Sequence, residues 1–315
     1  AEGDVKIILS ALHETGRLTR QEAVSMIPAI VLDAKPGELV LDMCASPGSK
    51  TTQIAEHLEG SGIVMANEIA SSRINTLVAN VKRHGSITPI ITHHDGRFIP
   101  KVPETGFDKI LVDAPCTGSA TTRKNPDVWK KWLPSGGKSL HKLQLELLLK
   151  AINLTKPGGK IVYSTCSLDP VENEAVISEV LRLSKEISLV PMSEKLVDLP
   201  GRCGMTDWPQ LDDSGNIIES SKIVKSMLPP TDIDIKEELK KCLRIWNDDV
   251  KAGGFFVAVL KKEEEYVEKI VDFDKIIEPE KVKPDEINFP QPISSKIEDM
   301  ILDTLGWDEK NLWIR

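Results

Sequence analysis

Short apolar runs and longer amphipathic stretches alternate along most of this chain. Runs near 38–43, 62–67, 88–92, 107–112 and 159–164 are five or six residues long and rich in Val, Ile and Leu. Their apolar residues are consecutive rather than alternating, the pattern of strands buried on both faces. Stretches near 50–59, 70–84, 139–154 and 170–185 instead place apolar residues at helical spacing. Another such stretch, from about Arg20 to Ala34, is closed by Pro36-Gly37. Strands separated by crossovers of helical length predict a mostly parallel sheet covered by helices on both faces. Lys156-Pro157-Gly158-Gly159-Lys160 predicts a tight turn into the fifth strand. Further on, Cys242-Leu-Arg-Ile-Trp246 and Gly253-Gly-Phe-Phe-Val-Ala-Val-Leu260 predict an antiparallel hairpin at the sheet edge.

These elements divide the chain into a helical lead-in (1–34), an α/β domain (35–262) with an irregular, polar insertion at about 192–242, and an acidic C-terminal extension (263–315). Net charge is −8, and the extension alone, with 15 Asp/Glu against 7 Lys/Arg, accounts for all of it. The body is therefore neutral, and basic clusters within it stay compatible with a nucleic-acid partner. Residues 294–313 of the extension carry Ile, Met, Leu and Trp at near-helical spacing. Five widely spaced cysteines predict free thiols in a reducing, intracellular setting. With no Cys-x-x-Cys or clustered Cys/His spacing, no metal is expected. No apolar run is long enough to cross a membrane, and the opening Ala-Glu-Gly-Asp reads neither as a secretory leader nor as a natural start.

The candidate chemistry sits where strands should give way to loops, the place where open α/β sheets bind ligands. Cys116 follows Ile110-Leu-Val-Asp-Ala-Pro, and Cys166 follows Lys160-Ile-Val-Tyr-Ser-Thr. Upstream, Asp42-Met-Cys44-Ala45-Ser46-Pro47-Gly48-Ser49-Lys50 runs from a strand into a helix. It lacks the three glycines of a dinucleotide-binding turn, yet it brings backbone N–H groups to a helix N-terminus, which suits a carboxylate. Glu68, ending the second strand, is placed to accept hydrogen bonds from ribose hydroxyls, and Asp95, after the third, to meet an adenine edge. Taken singly, either acid could be a helix cap. An amino-acid carboxylate, a ribose and an adenine together describe S-adenosylmethionine. Arg123, Lys124, Lys130 and Lys131 interleave with Trp129 and Trp132, a combination that can track phosphates and stack on unpaired bases; the tryptophans could equally be core anchors.

The motifs Asp42-Met-Cys-Ala-Ser-Pro-Gly-Ser-Lys-Thr, Asp113-Ala-Pro-Cys116, Ser164-Thr-Cys166-Ser and Gly253-Gly-Phe-Phe-Val-Ala-Val-Leu occur in this order. In these the chain resembles the Nop/Sun (Fmu-like) family of RNA cytosine-5 methyltransferases over about residues 16–262. Arg20-Gln-Glu-Ala-Val-Ser-Met-Ile-Pro28, Arg123-Lys-Asn-Pro-Asp-Val-Trp-Lys-Lys-Trp132 and Cys242-Leu-Arg-Ile-Trp246 make it most similar to the eukaryotic tRNA-type branch. The resemblance implies a Rossmann-like class I S-adenosylmethionine-dependent methyltransferase with a mostly parallel, seven-stranded sheet and an antiparallel edge strand. It implies an enzyme acting on RNA, most of all tRNA, in the nucleus or nucleolus, or in the cytoplasm. By the same resemblance Cys44 to Lys50, Glu68, Asp95 and Asp113 contact the cofactor, and Lys50 and Asp113 also lie near the target base. Cys166 is the nucleophile and Cys116 assists product release. Two places depart from the family: Thr117-Gly118-Ser119-Ala120-Thr121 stands where relatives read Ser-Gly-Asp-Gly-Thr, and Asn247-Asp248-Asp249 stands where they tend to have histidine.

Carbon 5 of cytosine is a poor nucleophile, and a thiolate added at C6 makes it enamine-like, able to attack a sulfonium methyl group. A carboxyl at N3 would draw charge from the ring, the part assigned to Asp113. Position alone leaves open which thiol attacks, since the Pro-Cys thiol has that role in DNA cytosine-5 methyltransferases. A catalytically weak or silent RNA-binding scaffold, favoured only by the altered 117–121 loop, and a DNA cytosine-5 methyltransferase are the further alternatives.

Overall fold

The computed structural model describes residues 2–264 apart from 193–195, 197, 220 and 221, together with residues 291–292 and 313–314. The strands are β1 (Leu39–Asp42), β2 (Ile63–Asn67), β3 (Pro89–Thr92), β4 (Phe107–Asp113), β5 (Thr155–Thr165), β6 (Ile187–Leu189), β7 (Arg202–Cys203), β8 (Leu243–Ile245) and β9 (Phe255–Lys262). They form one sheet in the order β3-β2-β1-β4-β5-β9-β8-β7, with β6 also paired to β9. Strands β1 to β5 are mutually parallel, and β9 runs antiparallel to β5. This is the expected class of fold, with a nine-stranded rather than seven-stranded sheet. The antiparallel strand β9 is interior, because β6 and β8 both pair with its far side and β7 extends the edge. Residues 156–160 do not form a separate turn. β5 starts at Thr155 and absorbs them as an irregularity, with a register shift against β4 between Phe107 and Lys109. Gly158 accommodates it at φ 75°, in the left-handed region that glycine enters without steric cost.

The helices are α1 (Glu2–Glu14), α2 (Ala23–Leu32), α3 (Ser49–His57), α4 (Ser71–His84), α5 (Asp127–Lys131), α6 (Lys138–Leu154), α7 (Glu174–Leu183) and α8 (Ile233–Leu239). α4 shows why these segments stop where they do. Lys82, Arg83 and His84 crowd its last turn, and Gly85, at φ 81°, caps it with an N–H to Val81 O. Strand periodicity then sorts side chains between two layers. Val40, Val64, Leu111, Val162, Val257 and Val259 share one face and pack with Ile27 and Leu32 of α2 and Ile54 of α3. Each such aliphatic side chain contributes about 1.5–3 kcal/mol on burial. Contacts of α6 with β4, β5 and α7 cover the opposite face, where Tyr163 meets Phe256 edge-on at 6.3 Å.

The same alternation decides where the chemistry goes. Asp42 pairs with Leu111, and Asp113 with Ser164, so Asp42, Asp113 and Ser164 extend the α2/α3 face at its carboxyl end. The C-terminal unit, residues 269–315, contributes a short antiparallel pairing of Gln291–Pro292 with Trp313–Ile314. The helical pattern read at 294–313 lies, up to residue 312, outside the described residues. Among the described residues no helix is long and apolar enough to cross a membrane, and no cluster of His, Cys, Asp and Glu could hold a metal ion.

Candidate active site

Between β1 and α3 the chain makes a tight passage that only glycine permits. Gly48 precedes α3 at φ 104°, and a Cβ there would come within 2.9 Å of Leu77 Cδ1. The loop is pinned on its outer side: Arg73 donates to Ser46 O at 2.6 Å, and Ser46 Oγ donates to Arg73 O at 3.0 Å. Cys44, Ala45, Ser46, Pro47, Ser49 and Lys50 line a cavity of about 310 Å³. Asp42, Asp113, Cys166 and the Gly253-Gly254 pair complete its walls. The glycine pair allows close approach here, since Gly253 N–H donates to Glu22 Oε1 and Gly254 N–H to Ala120 O.

Asp42 is fully buried. Thr51 Oγ1 donates to its Oδ2 at 2.7 Å, while Oδ1 has no partner among the described residues. Burial raises its pKa from 3.8 to about 7. The folded state thus keeps a proton that the unfolded chain has released, and stability falls as pH climbs from about 4 to about 7. Asp42→Asn removes the charge and keeps the shape. Its stability advantage over the wild type is expected to grow across that window, to a few kcal/mol, and then level off. Urea melts at pH 4.5 and pH 8 measure it; an identical difference at both would contradict the titration assigned to Asp42.

The two cysteines of the β4 and β5 loops meet, with Cys116 Sγ 3.3 Å from Cys166 Sγ. They are not equivalent. The Cys116 thiol hydrogen-bonds to Cys166 and pulls its pKa below the usual thiol value against the opposing effect of burial; Lys50 adds to the lowering. Cys116 is driven up by the same bond and by its own burial. Of the two, Cys166 is therefore the thiol that ionises more readily and Cys116 the one that holds its proton. Cys44, the other thiol of this region, is held protonated by burial and by the surrounding carboxylates. Lys50 Nζ lies 2.7 Å from Asp113 Oδ2 and 3.0 Å from Ser25 Oγ. Burial lowers the Lys50 pKa, but Asp113 outweighs it and keeps the amine charged. Ser164 Oγ donates to Asp113 Oδ1 at 2.7 Å, so both carboxylate oxygens are held.

Three consecutive residues that sequence reasoning treated as an ordinary helix start hold these loops. Glu172, Asn173 and Glu174 are all completely buried. Glu172 accepts from Thr117 N–H at 2.9 Å, from the Thr117 and Ser167 hydroxyls and from Gln144 Nε2 at 3.0 Å, tying the Cys116 loop to the Cys166 loop. Asn173 Nδ2 donates to Ser167 O. Glu174 takes a two-pronged ion pair from buried Arg244 at 2.5 and 2.6 Å, and Arg244 Nη1 also donates to Leu168 O. Nothing in the local pattern distinguishes Glu172 from a solvent-facing helix acid; besides Ser167, its partners come from two distant segments.

Glu68 and Asp95 follow β2 and β3 but do not line that cavity. Glu68 is buried, accepts Ala70 N–H at 2.9 Å and lies 3.4 Å from Arg73. Asp95 accepts Arg97 N–H and pairs with its guanidinium at 2.6 Å, which holds the carboxyl below its ordinary pKa despite partial burial. Both thus cap the turn that follows them while facing the carboxyl end of the sheet. The basic-aromatic segment divides. Lys124 lines the cavity that holds Cys166, and with Arg20, Arg123 and Lys251 it lines an adjoining basic hollow of about 740 Å³. Lys130 is exposed and paired with Asp127, and Lys131 is exposed. Trp129 and Trp132 are not core anchors: they are 70% and 49% exposed. The two departures from the family pattern touch, Asn247 Nδ2 donating to Ala120 O at 3.0 Å.

Residues 29–261 match the family model described as 16S rRNA methyltransferase RsmB/F. The multisite-specific tRNA:(cytosine-C(5))-methyltransferase of Saccharomyces cerevisiae is 42% identical, over 81% of this chain and 40% of that protein. The tRNA (cytosine(49)-C(5))-methyltransferase of Pyrococcus abyssi is also 42% identical, over 79% of this chain and 72% of its own. Among solved structures, NSun6 from Pyrococcus horikoshii with SFG superposes with a TM-score of 0.61 at 27% identity, covering 81% of this chain and 55% of that one. The chain spans about two-fifths of the length of its eukaryotic relatives, from 37% to 43%.

Proposed function

The chain belongs to the RsmB/F methyltransferase family, and we propose on that footing that it methylates C5 of cytosine in RNA, with tRNA as the substrate class. The observation that carries this reading is the close thiol pair, with Cys166 lining the same cavity as Lys50, Asp113 and the 44–49 loop. The residues present fit S-adenosylmethionine. Loop N–H groups at the start of α3 suit its carboxylate, the Gly48 turn allows backbone approach, and buried Glu68 and half-buried Asp95 stand at the next two strand ends. That cofactor supplies an electrophilic methyl group when bound.

The chain's own residues supply the rest. The Cys166 thiolate adds to C6 of a cytosine turned out of its stack, forming an S–C6 bond and pushing electron density onto C5. The charged Lys50 amine donates to Asp113 at 2.7 Å and can pass a proton toward N3 through it, offsetting the charge that develops in the ring. Once C5 carries the methyl group, a water entering the cavity takes its proton, and the S–C6 bond breaks with the electron pair returning to Cys166. The Cys116 thiol, hydrogen-bonded to that sulfur, makes it a better leaving group for the same reason that it lowers its pKa. Arg20, Arg123, Lys124 and Lys251 around the adjoining hollow would take backbone phosphates.

The test is incubation with methyl-labelled cofactor and separate pools of tRNA, ribosomal RNA and single-stranded DNA, followed by sequencing of methylated cytosines. Label in cytosine C5 of tRNA, with binding that weakens steeply as salt rises, is the expected result. Label confined to DNA, or no label on any pool, would overturn the reading; label in ribosomal RNA alone would move the substrate class.

A further inference from the structure

Four of the chain's six tryptophans, Trp129, Trp132, Trp208 and Trp246, converge on a cavity of about 410 Å³ that the chemistry above does not use. Trp208 is a fixed wall, buried with its Nε1 donating to Met227 O at 3.0 Å. Trp246 is backed by Arg202 and Arg244, each less than 6 Å from its ring. Trp129 and Trp132 project from α5 and its C-cap with large parts of their rings in water. Two indoles held exposed beside a cavity mark a place where a flat apolar group binds. The polar lining is sparse. Gln210 is buried, with Nε2 spent on Met227 O and Oε1 without a partner among the described residues. The Asp169 carboxyl, raised by burial to a pKa of about 6, accepts only backbone N–H groups. Aromatic walls with a few acceptors fit the faces and edge of a nucleobase.

The cavity adjoins the catalytic one. Ser119 and Thr122 line it, while Thr121 between them lines the cavity that holds Cys166. Leu168 and Asp169, two and three residues beyond Cys166, form another part of its wall. We infer that this pocket takes one unpaired base immediately beside the target cytosine, stacked against Trp129 and Trp132, so that a strand held over the basic hollow is gripped on both sides of the reacting nucleotide. The inference rests on the proposed RNA methylation and names a base-binding subsite for it.

The test uses an RNA stem-loop that the wild-type chain methylates, prepared intact and with an abasic residue on the 5′ or the 3′ side of the target cytosine. Base–aromatic stacking of this kind predicts about a tenfold or greater loss in kcat/KM for one of the two abasic RNAs. Trp129→Ala/Trp132→Ala is expected to show the same loss on intact RNA and no further loss on that abasic RNA. Trp129→Phe, which keeps a stacking face, should retain most activity. Wild-type rates in the double variant, or losses that multiply between variant and abasic RNA, would overturn the subsite and point to a protein segment as the occupant. Absence of methylation on every RNA by the wild type would instead defeat the functional reading on which it stands.

Discussion

Replacing Cys166 by serine is expected to reduce methyl transfer to RNA by roughly a thousandfold or more, because a serine hydroxyl has no useful anionic fraction near neutral pH and C6 is left without a nucleophile. Cys116→Ser should behave differently. The hydroxyl is far less acidic than the thiol that lies 3.3 Å from Cys166 in the native pair, so it exchanges a proton with that sulfur much less readily. Addition slows modestly, while expulsion of Cys166 from the methylated base slows much more, and protein bound covalently to RNA builds up. Labelled methyl incorporation and a denaturing gel separate the two variants. Turnover retained by Cys166→Ser, with an adduct still formed, would transfer the nucleophile's role to Cys116. The polarity of the pair also has a signature independent of RNA. Alkylation of Cys166 by iodoacetamide should rise with pH along a limb below the ordinary thiol value, and Cys116→Ala should move that limb upward by removing the principal cause of the lowering.

The largest expected loss of stability follows from Arg244→Leu. The guanidinium is almost completely buried against Glu174, itself fully buried. Removing it strands a carboxylate without water or counter-charge and frees Leu168 O from its donor. Breaking one side of such a pair costs about 3–5 kcal/mol, which for a domain of this size lowers Tm by about 10 °C or more. Arg244→Leu/Glu174→Leu should recover much of the Tm, because two buried apolar side chains no longer face an unpaired charge. Methyl transfer should not recover with it, since the loop that carries Cys166 has lost its anchor. A double variant no more stable than Arg244→Leu would show that the cost lies in packing around Trp246 and Phe256 rather than in the stranded charge.

The frame of the molecule was readable because burial on both faces leaves a local trace. The runs 39–41, 63–66 and 110–112 are apolar residue after residue, and no partner needs to be known to recognise them. Chemistry at strand ends follows from the same fact, and it brought Cys116, Cys166 and the loop of residues 44–50 into view together, whereas Asp42 was not singled out. What escaped detection depends on long-range partners. Glu172 is a helix-start acid until Thr117, Gln144 and Ser167 arrive around it. Arg244 looks like one more strand-edge cation until Glu174 is seen beneath it. Trp208 and Trp246 are separated from Trp129 and Trp132 by about eighty residues or more, so their convergence has no signature in spacing. The glycines of residues 158 and 159 were read as a turn because that is their commonest use, whereas β4 pairs on either side of them, with Thr155 and with Lys160, so that they form an irregularity within β5.

The bond from Gly253 to Glu22 joins residues 231 positions apart, one just before the first long core helix and the other just before the last strand. During synthesis, a ribosome that has released the first two hundred residues has already delivered both cysteines, the donor loop and most of the sheet. The wall formed by Gly253, Gly254 and Phe255 is still missing, and contacts of such high sequence separation form last and slowly. A nascent chain truncated before residue 253 is therefore expected to carry every reactive group and yet lack a closed chamber, so competence for catalysis arrives in one step, near the completion of the domain.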